Sequence, residues 1–306
     1  MKPLAAVLLT AAAGCTAPPT DVSSASQPIL GGTLVTTGEF PTVVALESGP
    51  GQFFCTGTLV GASWVLTAAH CVEGAPQGAI KIRFDGLDVS SGTEGMSVGT
   101  KRHVAQNFQG EWRDDIALIE LTAPVMRPFT PLHRTSTLPG SAVKQVGYGV
   151  AGDDGEGGGI LRKLDETNID CAITGEVDIN NTEVLCFDPA NGGGCYGDSG
   201  GPTFIEVGGK LEVTGVTSGG TDPMGRCSFS YGIWTHVAAQ LAFLDPLMAE
   251  TPDPEPEPDP EPEPDPDPID PTPPGDDGGC STGGSTGGLV VVALALAARR
   301  RRSRSI

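Results

Sequence analysis

The sequence is poor in basic residues and has no long hydrophobic segment. Lys and Arg number 18 against 38 Asp and Glu, and the formal net charge at pH 7 is −20. Residues 29–248 carry 12 basic and 25 acidic side chains, so no basic face remains for a nucleic acid. The apolar segment 289–298 has ten residues. Unless its flanks join it, that is too short to cross a hydrocarbon core of about 30 Å. These shortages argue against nucleic-acid binding and against a simple membrane span.

Sustained helical periodicity is also scarce between residues 29 and 248. Short β-rich runs such as TVVALE, WVLTAA, IKIRF and DIALIEL alternate instead with Gly, Pro, Asp and Ser. Strands separated by turn residues predict an all-β barrel or sandwich. The 220 residues of this range exceed the needs of one sandwich and fit two barrels side by side. THVAAQLAFLDPLM predicts one helix at the end of the range.

Both ends differ in composition from this central domain. Residues 1–14 combine one Lys, an apolar run and small residues, the pattern of a secretory signal peptide, and residues 15–28 would follow as a propeptide. Residues 249–279 contain 12 acidic residues, no basic residue and alternating prolines, which predicts a disordered, extended linker. Residues 280–306 add a cysteine, the apolar segment and an arginine cluster. The sequence therefore predicts an exported protein with one folded region, residues 29–248.

Cysteine usage agrees with export. The chain has eight cysteines, and two of them, Cys15 and Cys280, lie in the terminal segments. The other six lie in the central domain: Cys55, Cys71, Cys171, Cys186, Cys195 and Cys227. An even number in an exported chain predicts three disulfides, although six cysteines allow fifteen connectivities.

Residues 192–202 read GGGCYGDSGGP and place Ser199 among glycines. Glycines leave backbone N–H groups open to a bound atom, but the run alone is equally typical of a flexible surface loop. A serine hydroxyl needs a nearby base and oxyanion donors to act as a nucleophile. TAAHC places His70 after an apolar run, and DDIALIEL places Asp115, next to Asp114, before a buried strand. In chain order the three residues are His70, Asp115 and Ser199.

These motifs resemble those of the chymotrypsin-like (trypsin-fold) serine endopeptidases. ILGG at 29–32 is similar to the mature N-terminus of that family, QVGYG at 145–149 to its strand entering the second barrel, and TSGG at 217–220 to its substrate-binding strand. The resemblance implies two antiparallel six-stranded β-barrels with the active site in the cleft between them, and a short C-terminal helix. It also implies hydrolysis of a protein or peptide substrate through an acyl-enzyme, with no cofactor and no metal.

The resemblance assigns roles to individual residues. Ser199 would be the nucleophile and His70 the general base and then acid. Asp115, rather than Asp114, would be the carboxylate that orients the imidazole. The backbone N–H groups of Gly197 and Ser199 would form the oxyanion hole.

The same resemblance implies activation by cleavage. Cleavage before Ile29 would free an α-ammonium group that pairs with Asp198, so the chain would be made as a zymogen. The residue before Ile29 is Pro28, where the family usually has Arg or Lys. The activating protease is therefore expected not to be specific for Arg or Lys.

Family geometry further implies the cysteine connectivity and the primary substrate pocket. The implied disulfides are Cys55–Cys71, Cys171–Cys186 and Cys195–Cys227. The implied pocket residues are Gly193, Gly194, Ser218, Gly219, Gly220 and Gly232. Because Gly193 stands where an acidic residue would select Arg or Lys, we expect a roomy, uncharged pocket for a large apolar side chain. Asp222 would add a charge if its loop turned inward, and Tyr196 is expected at the rim.

Both termini suggest sorting to the cell envelope. AAAGC at 11–15 is close to a lipoprotein processing site, so Cys15 is a candidate for lipidation, although Ala12 stands where Leu is usual. Residues 280–306, with Cys280, resemble bacterial Cys-containing C-terminal sorting tails of the myxobacterial type. A plain C-terminal membrane anchor is the alternative.

We therefore expect a monomeric serine endopeptidase that is secreted or attached to the bacterial cell surface, with the envelope sorting machinery as a partner. A non-catalytic or latent protease-fold binding module at the cell surface is the alternative function. The intact set of His70, Asp115, Ser199 and Gly197 argues against the alternative.

Overall fold

A computed structural model describes residues 29–90, 97–98, 103–104, 108–110 and 112–250. The expected signal peptide, propeptide and sorting tail, together with Cys15 and Cys280, lie outside these residues, as does nearly all of the linker. Within the described part of the chain, no helix is both long and apolar enough to cross a membrane.

Two antiparallel β-sheets form the described domain. In chain order the strands are β1 (Thr33–Leu34), β2 (Val43–Glu47), β3 (Phe53–Gly61), β4 (Trp64–Thr67), β5 (Lys81–Arg83), β6 (Ser97–Val98), β7 (His103–Val104), β8 (Ala117–Glu120), β9 (Ala142–Gly147), β10 (Arg162–Thr167), β11 (Val184–Phe187), β12 (Pro202–Val207), β13 (Lys210–Gly220) and β14 (Gly232–His236). The first sheet has the strand order β6-β5-β2-β3-β4-β8-β7, and the second has the order β1-β10-β9-β12-β13-β14-β11.

Each sheet contains seven strands among the described residues, where six per barrel were expected. In the second sheet, β1 is a two-residue strand that pairs with β10 at the sheet edge. In the first sheet, β6 and β7 are equally short and lie at the two edges. Two residues are too few to show an alternating pattern, so strands of this length escape sequence analysis. The all-β class and the two sheets are confirmed.

Four 3₁₀ segments and two α-helices complete the described elements. The 3₁₀ segments are Cys171–Thr174, Pro189–Asn191, Cys227–Phe229 and Val237–Gln240. The helices are α1 (Ala69–Val72) and α2 (Leu241–Glu250). The expected short C-terminal helix is therefore confirmed as α2, and it ends two residues beyond the predicted domain boundary.

Strands β4 and β8 bring His70 close to Asp115. All four residues of β4 are buried, and the strand leads into α1, which carries His70. β8 begins two residues after Asp115 and pairs with β4 in the register Thr67↔Ala117. Because antiparallel strands run in opposite directions, the end of β4 lies beside the start of β8. The two residues therefore meet at the same end of this strand pair.

Strands β9, β12 and β13 hold the segment around Ser199. β12 begins three residues after Ser199 and pairs with both β9 and β13. β13 is buried along most of its length but ends in exposed Gly219 and Gly220. Its last residue pairs with Gly232 of β14. An exposed strand end therefore lies next to the serine segment.

Side chains from both sheets share one hydrophobic core. Leu46 and Leu66 of the first sheet belong to the same buried cluster as Phe204 and Val216 of the second. Phe40 stacks on Phe204 with ring centroids 5.8 Å apart. Burying such a side chain contributes about 1.5–3 kcal/mol relative to leaving it exposed. The shared core fixes the two sheets, and the residues they carry, relative to each other.

Each sheet also buries one glutamate, and the two glutamates have different partners. In the first sheet, Glu47 is 3% exposed and pairs with buried Arg83, whose Nη2 lies 3.0 Å from Glu47 Oε2. In the second sheet, Glu166 is 7% exposed and accepts a hydrogen bond from Gln145 Nε2 at 3.0 Å. No basic side chain among the described residues pairs with Glu166, and its Oε1 has no hydrogen-bond partner there. Burial, followed by repulsion from Asp188, raises the pKa of Glu166 to about 8.

Candidate active site

Two hydrogen bonds link His70 to Asp115. Asp115 Oδ2 lies 2.7 Å from Nδ1 of the imidazole, and Oδ1 accepts the backbone N–H of His70 at 2.9 Å. The side chain of His70 is 36% exposed, whereas that of Asp115 is 3% exposed. The second ring nitrogen, Nε2, lies 3.7 Å from Cys71 Sγ. When Nδ1–H is donated to the carboxylate, Nε2 is the basic nitrogen of the neutral ring.

Asp115 and its neighbour Asp114 bind different partners. Asp115 Oδ2 also accepts a hydrogen bond from Ser218 Oγ at 2.5 Å, and its backbone carbonyl accepts one from Thr235 Oγ1 at 3.0 Å. Asp114 has φ +57°, a left-handed conformation that Asp tolerates, and its Oδ1 accepts a hydrogen bond from Gln240 Nε2 at 2.7 Å. The carboxylate that contacts His70 is therefore that of Asp115.

Thr56 of β3 holds the segment that contains Ser199. The backbone N–H of Thr56 donates to the carbonyl of Ser199 at 2.8 Å, and its Oγ1 donates to the carbonyl of Gly197 at 2.8 Å. Gly197 has φ +98°, and a Cβ there would lie 3.0 Å from the Phe53 ring and 3.1 Å from Gly149 Cα. Both the conformation and the close approach require glycine.

Asp198 is buried beneath this segment in a notch formed by two glycines. It is 2% exposed, and its Oδ1 and Oδ2 accept the backbone N–H groups of Gly149 at 2.7 Å and Cys195 at 2.9 Å. A Cβ at either Gly147 or Gly149 would collide with the Asp198 carboxyl group. Burial raises the pKa of Asp198 to about 7, against the lowering effect of its two backbone hydrogen bonds. The charge of Arg162 also lowers this pKa, by less than the two hydrogen bonds do.

The segment that begins at Ile29 is inserted into the second half of the domain. Ile29 is 1% exposed. The backbone of Leu30 exchanges two hydrogen bonds with that of Gly193, at 3.0 Å and 2.9 Å. Gly193 is therefore a partner of the N-terminal segment, and it is absent from the described lining of the cavity below. The placement of Gly193 at the pocket floor stays a prediction: its backbone pairs with Leu30, and a Cβ built on Gly193 would have no atom within 4 Å.

His70 and Ser199 face one cavity of about 390 Å³. Five of the six residues predicted for the pocket line this cavity: Gly194, Ser218, Gly219, Gly220 and Gly232. The other lining residues are Cys195, Tyr196, Thr217, Asp222, Gly225, Arg226, Cys227 and Ser230. The volume lies in the range of ligand pockets, roughly 300–1,000 Å³.

The cavity wall differs from the expected open, uncharged pocket in two ways: it contains an ion pair, and Ser230 fills the space beside Gly220. Asp222 does turn toward the cavity, but it forms an ion pair with Arg226. Tyr196 lies at the rim, as expected, and its hydroxyl donates to the carbonyl of Gly225 at 2.9 Å. A Cβ on Gly220 would collide with Ser230 Oγ. The side chain of Ser230 therefore occupies the space next to Gly220, and that space is not open to a substrate.

Three disulfides join cysteines of the described domain, and two of them brace the site. They join Cys55 to Cys71, Cys171 to Cys186 and Cys195 to Cys227, the pairs that the resemblance implies. The first ties β3 to the helix of His70, and the third ties the segment before Ser199 to the cavity wall. In the chain-entropy view, closing loops of this size stabilises the fold by about 3 kcal/mol each.

The motifs of the sequence did not indicate Thr56 or Arg226, and they left the direction of Asp222 open. Thr56 follows Cys55 directly, and this adjacency is the signal that could have identified it. Arg226 likewise precedes Cys227. Nothing in the intervening loop sequence indicates that Asp222 and Arg226 face the cavity.

Two clusters of potential metal ligands occur among the described residues. One combines His70 with Cys55 and Cys71, and the other combines Asp153 with Cys195 and Cys227. In both, the two cysteines are joined in a disulfide, so neither offers a thiolate to an ion.

Comparison with known proteins places the chain in a family. The family model described as Trypsin matches residues 29–244, more than half of the chain. Serine protease SP24D of Anopheles gambiae is 34% identical over 190 residues, which cover 58% of this chain and 67% of that protein. Brachyurin of Leptuca pugilator is 32% identical over 204 residues, covering 62% and 84% of the respective chains. Chymotrypsin-like elastase family member 1 of Canis lupus familiaris is 27% identical over 250 residues, covering 75% and 95%. With the fold and the arrangement around His70 already described, the match shows that this chain belongs to the trypsin family of serine endopeptidases.

Proposed function

We propose that the chain is an exported endopeptidase that cleaves peptide bonds through Ser199, His70 and Asp115. The observation that carries the proposal is the pair of hydrogen bonds from His70 to Asp115, at 2.7 Å and 2.9 Å. They fix the imidazole ring and its tautomer, and they leave Nε2 to take the proton of a hydroxyl. His70 and Ser199 face the same cavity, which supports Ser199 as the source of that hydroxyl.

The proposed reaction runs in two steps. Ser199 Oγ attacks the scissile carbonyl while His70 Nε2 takes its proton, and His70 then gives that proton to the leaving amine as the acyl-enzyme forms. Water, deprotonated by His70, then attacks the acyl-enzyme and releases Ser199. Asp115 remains a carboxylate and stabilises the imidazolium in both steps.

Backbone directions support an oxyanion hole at Gly197 and Ser199. The carbonyl of Tyr196 accepts the N–H of Val150 at 2.8 Å, and the carbonyl of Asp198 accepts the N–H of Gly201 at 2.8 Å. In a trans peptide the N–H points opposite to the carbonyl of the same unit. The N–H groups of Gly197 and Ser199 therefore point away from Val150 and Gly201, which donate to those two carbonyls. In the proposal they stabilise the charge that develops on the substrate carbonyl oxygen.

The cavity supports a preference for a large apolar residue before the scissile bond. Its volume of about 390 Å³ accommodates a large side chain. Asp222 and Arg226 neutralise each other in its wall. A pocket without net charge offers a cationic or anionic side chain no compensation for the loss of water.

The inserted N-terminal segment supports activation by cleavage between Pro28 and Ile29. Asp198 is buried with a raised pKa, and a new α-ammonium group would add a positive charge that stabilises its carboxylate. Ile29 has φ +33°, a conformation that strains a β-branched residue, and the constraint disappears when the preceding peptide bond is cut. The enzyme that makes this cut must accept proline before the scissile bond.

Export is supported by the three disulfides, because such bonds persist in oxidising compartments. The composition of residues 1–14 supports a signal peptide. In the proposal, residues 280–306 with Cys280 are read by envelope sorting machinery, and the acidic linker 249–279 separates the enzyme from the surface. Mass spectrometry of the natural product would show whether the mature chain starts at Ile29 and whether Cys280 is retained.

Fluorophosphonate labelling tests the proposed chemistry directly. We expect the chain that begins at Ile29 to be labelled, and the Ser199→Ala variant not to be, because only an activated serine attacks the probe. Labelled enzyme is then profiled on a peptide library. No labelling of a folded chain with a free Ile29 amine would contradict the hydrolase proposal and favour the binding-module alternative. Preferred cleavage after charged residues would contradict the proposed apolar specificity.

A further inference from the structure

An ion pair in the cavity wall carries an inference about specificity. Asp222 and Arg226 lie on the segment between β13 and β14, and both line the cavity that contains His70 and Ser199. Only 9% of the Asp222 side chain is exposed, against 45% of the Arg226 side chain. The acidic group thus lies deeper in the wall than the basic group that covers it.

Arg226 and its loop saturate the carboxylate of Asp222. Oδ2 accepts the backbone N–H of Arg226 at 2.9 Å and its Nε at 3.1 Å, while Oδ1 accepts Nη2 at 3.2 Å. The backbone of Met224 donates a further hydrogen bond. A carboxylate has about four acceptor positions, so four donors leave little for a ligand. The Arg226 side chain is the largest cause that holds the pKa of Asp222 below its ordinary value.

Contacts on its other side keep Arg226 over Asp222. The guanidinium carbon lies 4.6 Å from the centre of the Phe229 ring. The pKa of Arg226 is raised mainly by Asp222, and the nearby charge of Asp153, which accepts hydrogen bonds from Ser228, adds a smaller contribution. The loop is tied down by the bond from Tyr196 to Gly225 and by the disulfide at Cys227. Arg226 is therefore held in place before any substrate arrives.

We infer that Arg226 masks Asp222, and that this masking excludes lysine and arginine side chains from the substrate pocket. Asp222 is the one acidic residue in the described lining of the cavity. Without Arg226 it would bind a cationic side chain through charge-assisted hydrogen bonds. With Arg226 present, a cationic substrate side chain must displace the guanidinium group from Asp222, four residues earlier in the chain. It is also repelled by the positive charge of that guanidinium group. The inference rests on the proposed function, because it concerns which substrates the same site accepts.

The test compares the wild-type chain from Ile29 to its C-terminus with Arg226→Gln and with the double variant Arg226→Gln/Asp222→Asn. Two substrates that differ only by Arg or Leu before the scissile bond give a ratio of kcat/KM per titrated active site. Calorimetry with benzamidine, a small aromatic cation, gives an affinity that needs no turnover. We expect Arg226→Gln to raise both the Arg/Leu ratio and the benzamidine affinity by about 10- to 100-fold. The double variant, which has no carboxylate to expose, should return both toward the wild-type values.

Three results would overturn the inference. They are a wild-type enzyme that already prefers the arginine substrate, a folded Arg226→Gln variant with unchanged ratio and affinity, and a gain that persists in the double variant. Because benzamidine binding is independent of turnover, it decides the question even if fluorophosphonate labelling shows that the chain is no hydrolase. If Arg226→Gln does not fold, Arg226→Met keeps the aliphatic stem over Phe229 and replaces it in both measurements.

Discussion

The two sheets differ in how they accommodate buried carboxyl groups. In the first sheet Glu47 pairs with Arg83, and Asp115, next to that sheet, binds both His70 and Ser218. The second half holds Glu166 without a basic partner among the described residues, and its Asp198 accepts two backbone N–H groups while Arg162 acts on it through charge alone. The half that carries the proposed base is thus electrostatically complete in the uncut chain. In the half that carries the proposed nucleophile and pocket, burial raises the pKa of both carboxyl groups, and the proposed cleavage would add a positive charge beside Asp198.

The largest expected effect is on kcat and comes from replacing Asp115, the carboxylate that contacts His70. We expect Asp115→Asn to lower kcat by about 10⁴-fold, because an amide no longer fixes the imidazole tautomer that leaves Nε2 basic. Asp114→Asn is the matched control, since its side chain contacts Gln240 instead, and it should lower kcat by less than about tenfold. Steady-state kinetics on active-site-titrated enzyme measures both. Equal losses in the two variants would contradict the assignment of Asp115.

The second prediction tests the proposed ion pair between the Ile29 amine and Asp198. In a chain that begins at Ile29, we expect Asp198→Asn to reduce kcat/KM by about 10²–10³-fold, comparable to losing one oxyanion donor. The wild-type protein should also lose activity at alkaline pH as the α-amino group, whose ordinary pKa is about 7.7–8.0, deprotonates. A chain that still carries residues before Ile29 serves as the control, and in that chain Asp198→Asn should change little. A large effect of the substitution in the uncut chain would rule out the proposed ion pair.

A pair of identical substitutions sharpens the comparison further. We expect Glu47→Gln to destabilise the fold by about 3 kcal/mol, because it leaves the buried guanidinium of Arg83 without its counter-charge. Urea unfolding at pH 8 measures the free energy of unfolding, with Ser199→Ala as the background to prevent self-cleavage. Arg83→Met combined with Glu47→Gln should recover part of the loss. No loss in the single variant would show that this ion pair is not important to the first sheet.

Replacing Glu166 of the second sheet by Gln should change the free energy of unfolding in the opposite direction and by a smaller amount. Glu166 has its pKa raised to about 8, so the folded state binds its proton more tightly than the unfolded state does. Its contribution to stability is therefore lost as the pH rises from about 4.5 to about 8, and the full cost remains above that. We expect Glu166→Gln to stabilise the fold by about 2 kcal/mol at pH 9 and to have little effect at pH 4. Stabilisation that did not vary with pH would contradict a buried ionisable Glu166.

Local sequence was sufficient for the residues that lie at the ends of buried strands. His70 and Asp115 could be predicted because each is adjacent to an apolar run whose burial fixes its place. The glycines around Ser199 could be predicted because they meet a backbone requirement that few other residues satisfy. In these cases the determining interaction lies within a few positions along the chain.

The features that the sequence left open depend on contacts between distant segments. Glu166 lies in RKLDET, where the alternation of polar residues does not tell which face is buried. The orientation of Arg226 depends on Asp222, Phe229 and the disulfide at Cys227. The pairing of Gly193 with Leu30 likewise joins segments more than 160 residues apart in the chain. Such long-range pairings have no local signature.

The two-glycine notch around the Asp198 carboxyl group has a consequence for how this enzyme tolerates change. A methyl group at Gly147 or Gly149 would occupy the volume of that carboxyl group, although neither residue lines the cavity. In a saturation-mutagenesis survey scored by proteolysis, these two positions should therefore be as intolerant as the triad. Mutational tolerance at Gly147 and Gly149 is determined by the volume that the Asp198 carboxyl group occupies, and Asp198 belongs to another segment of the chain.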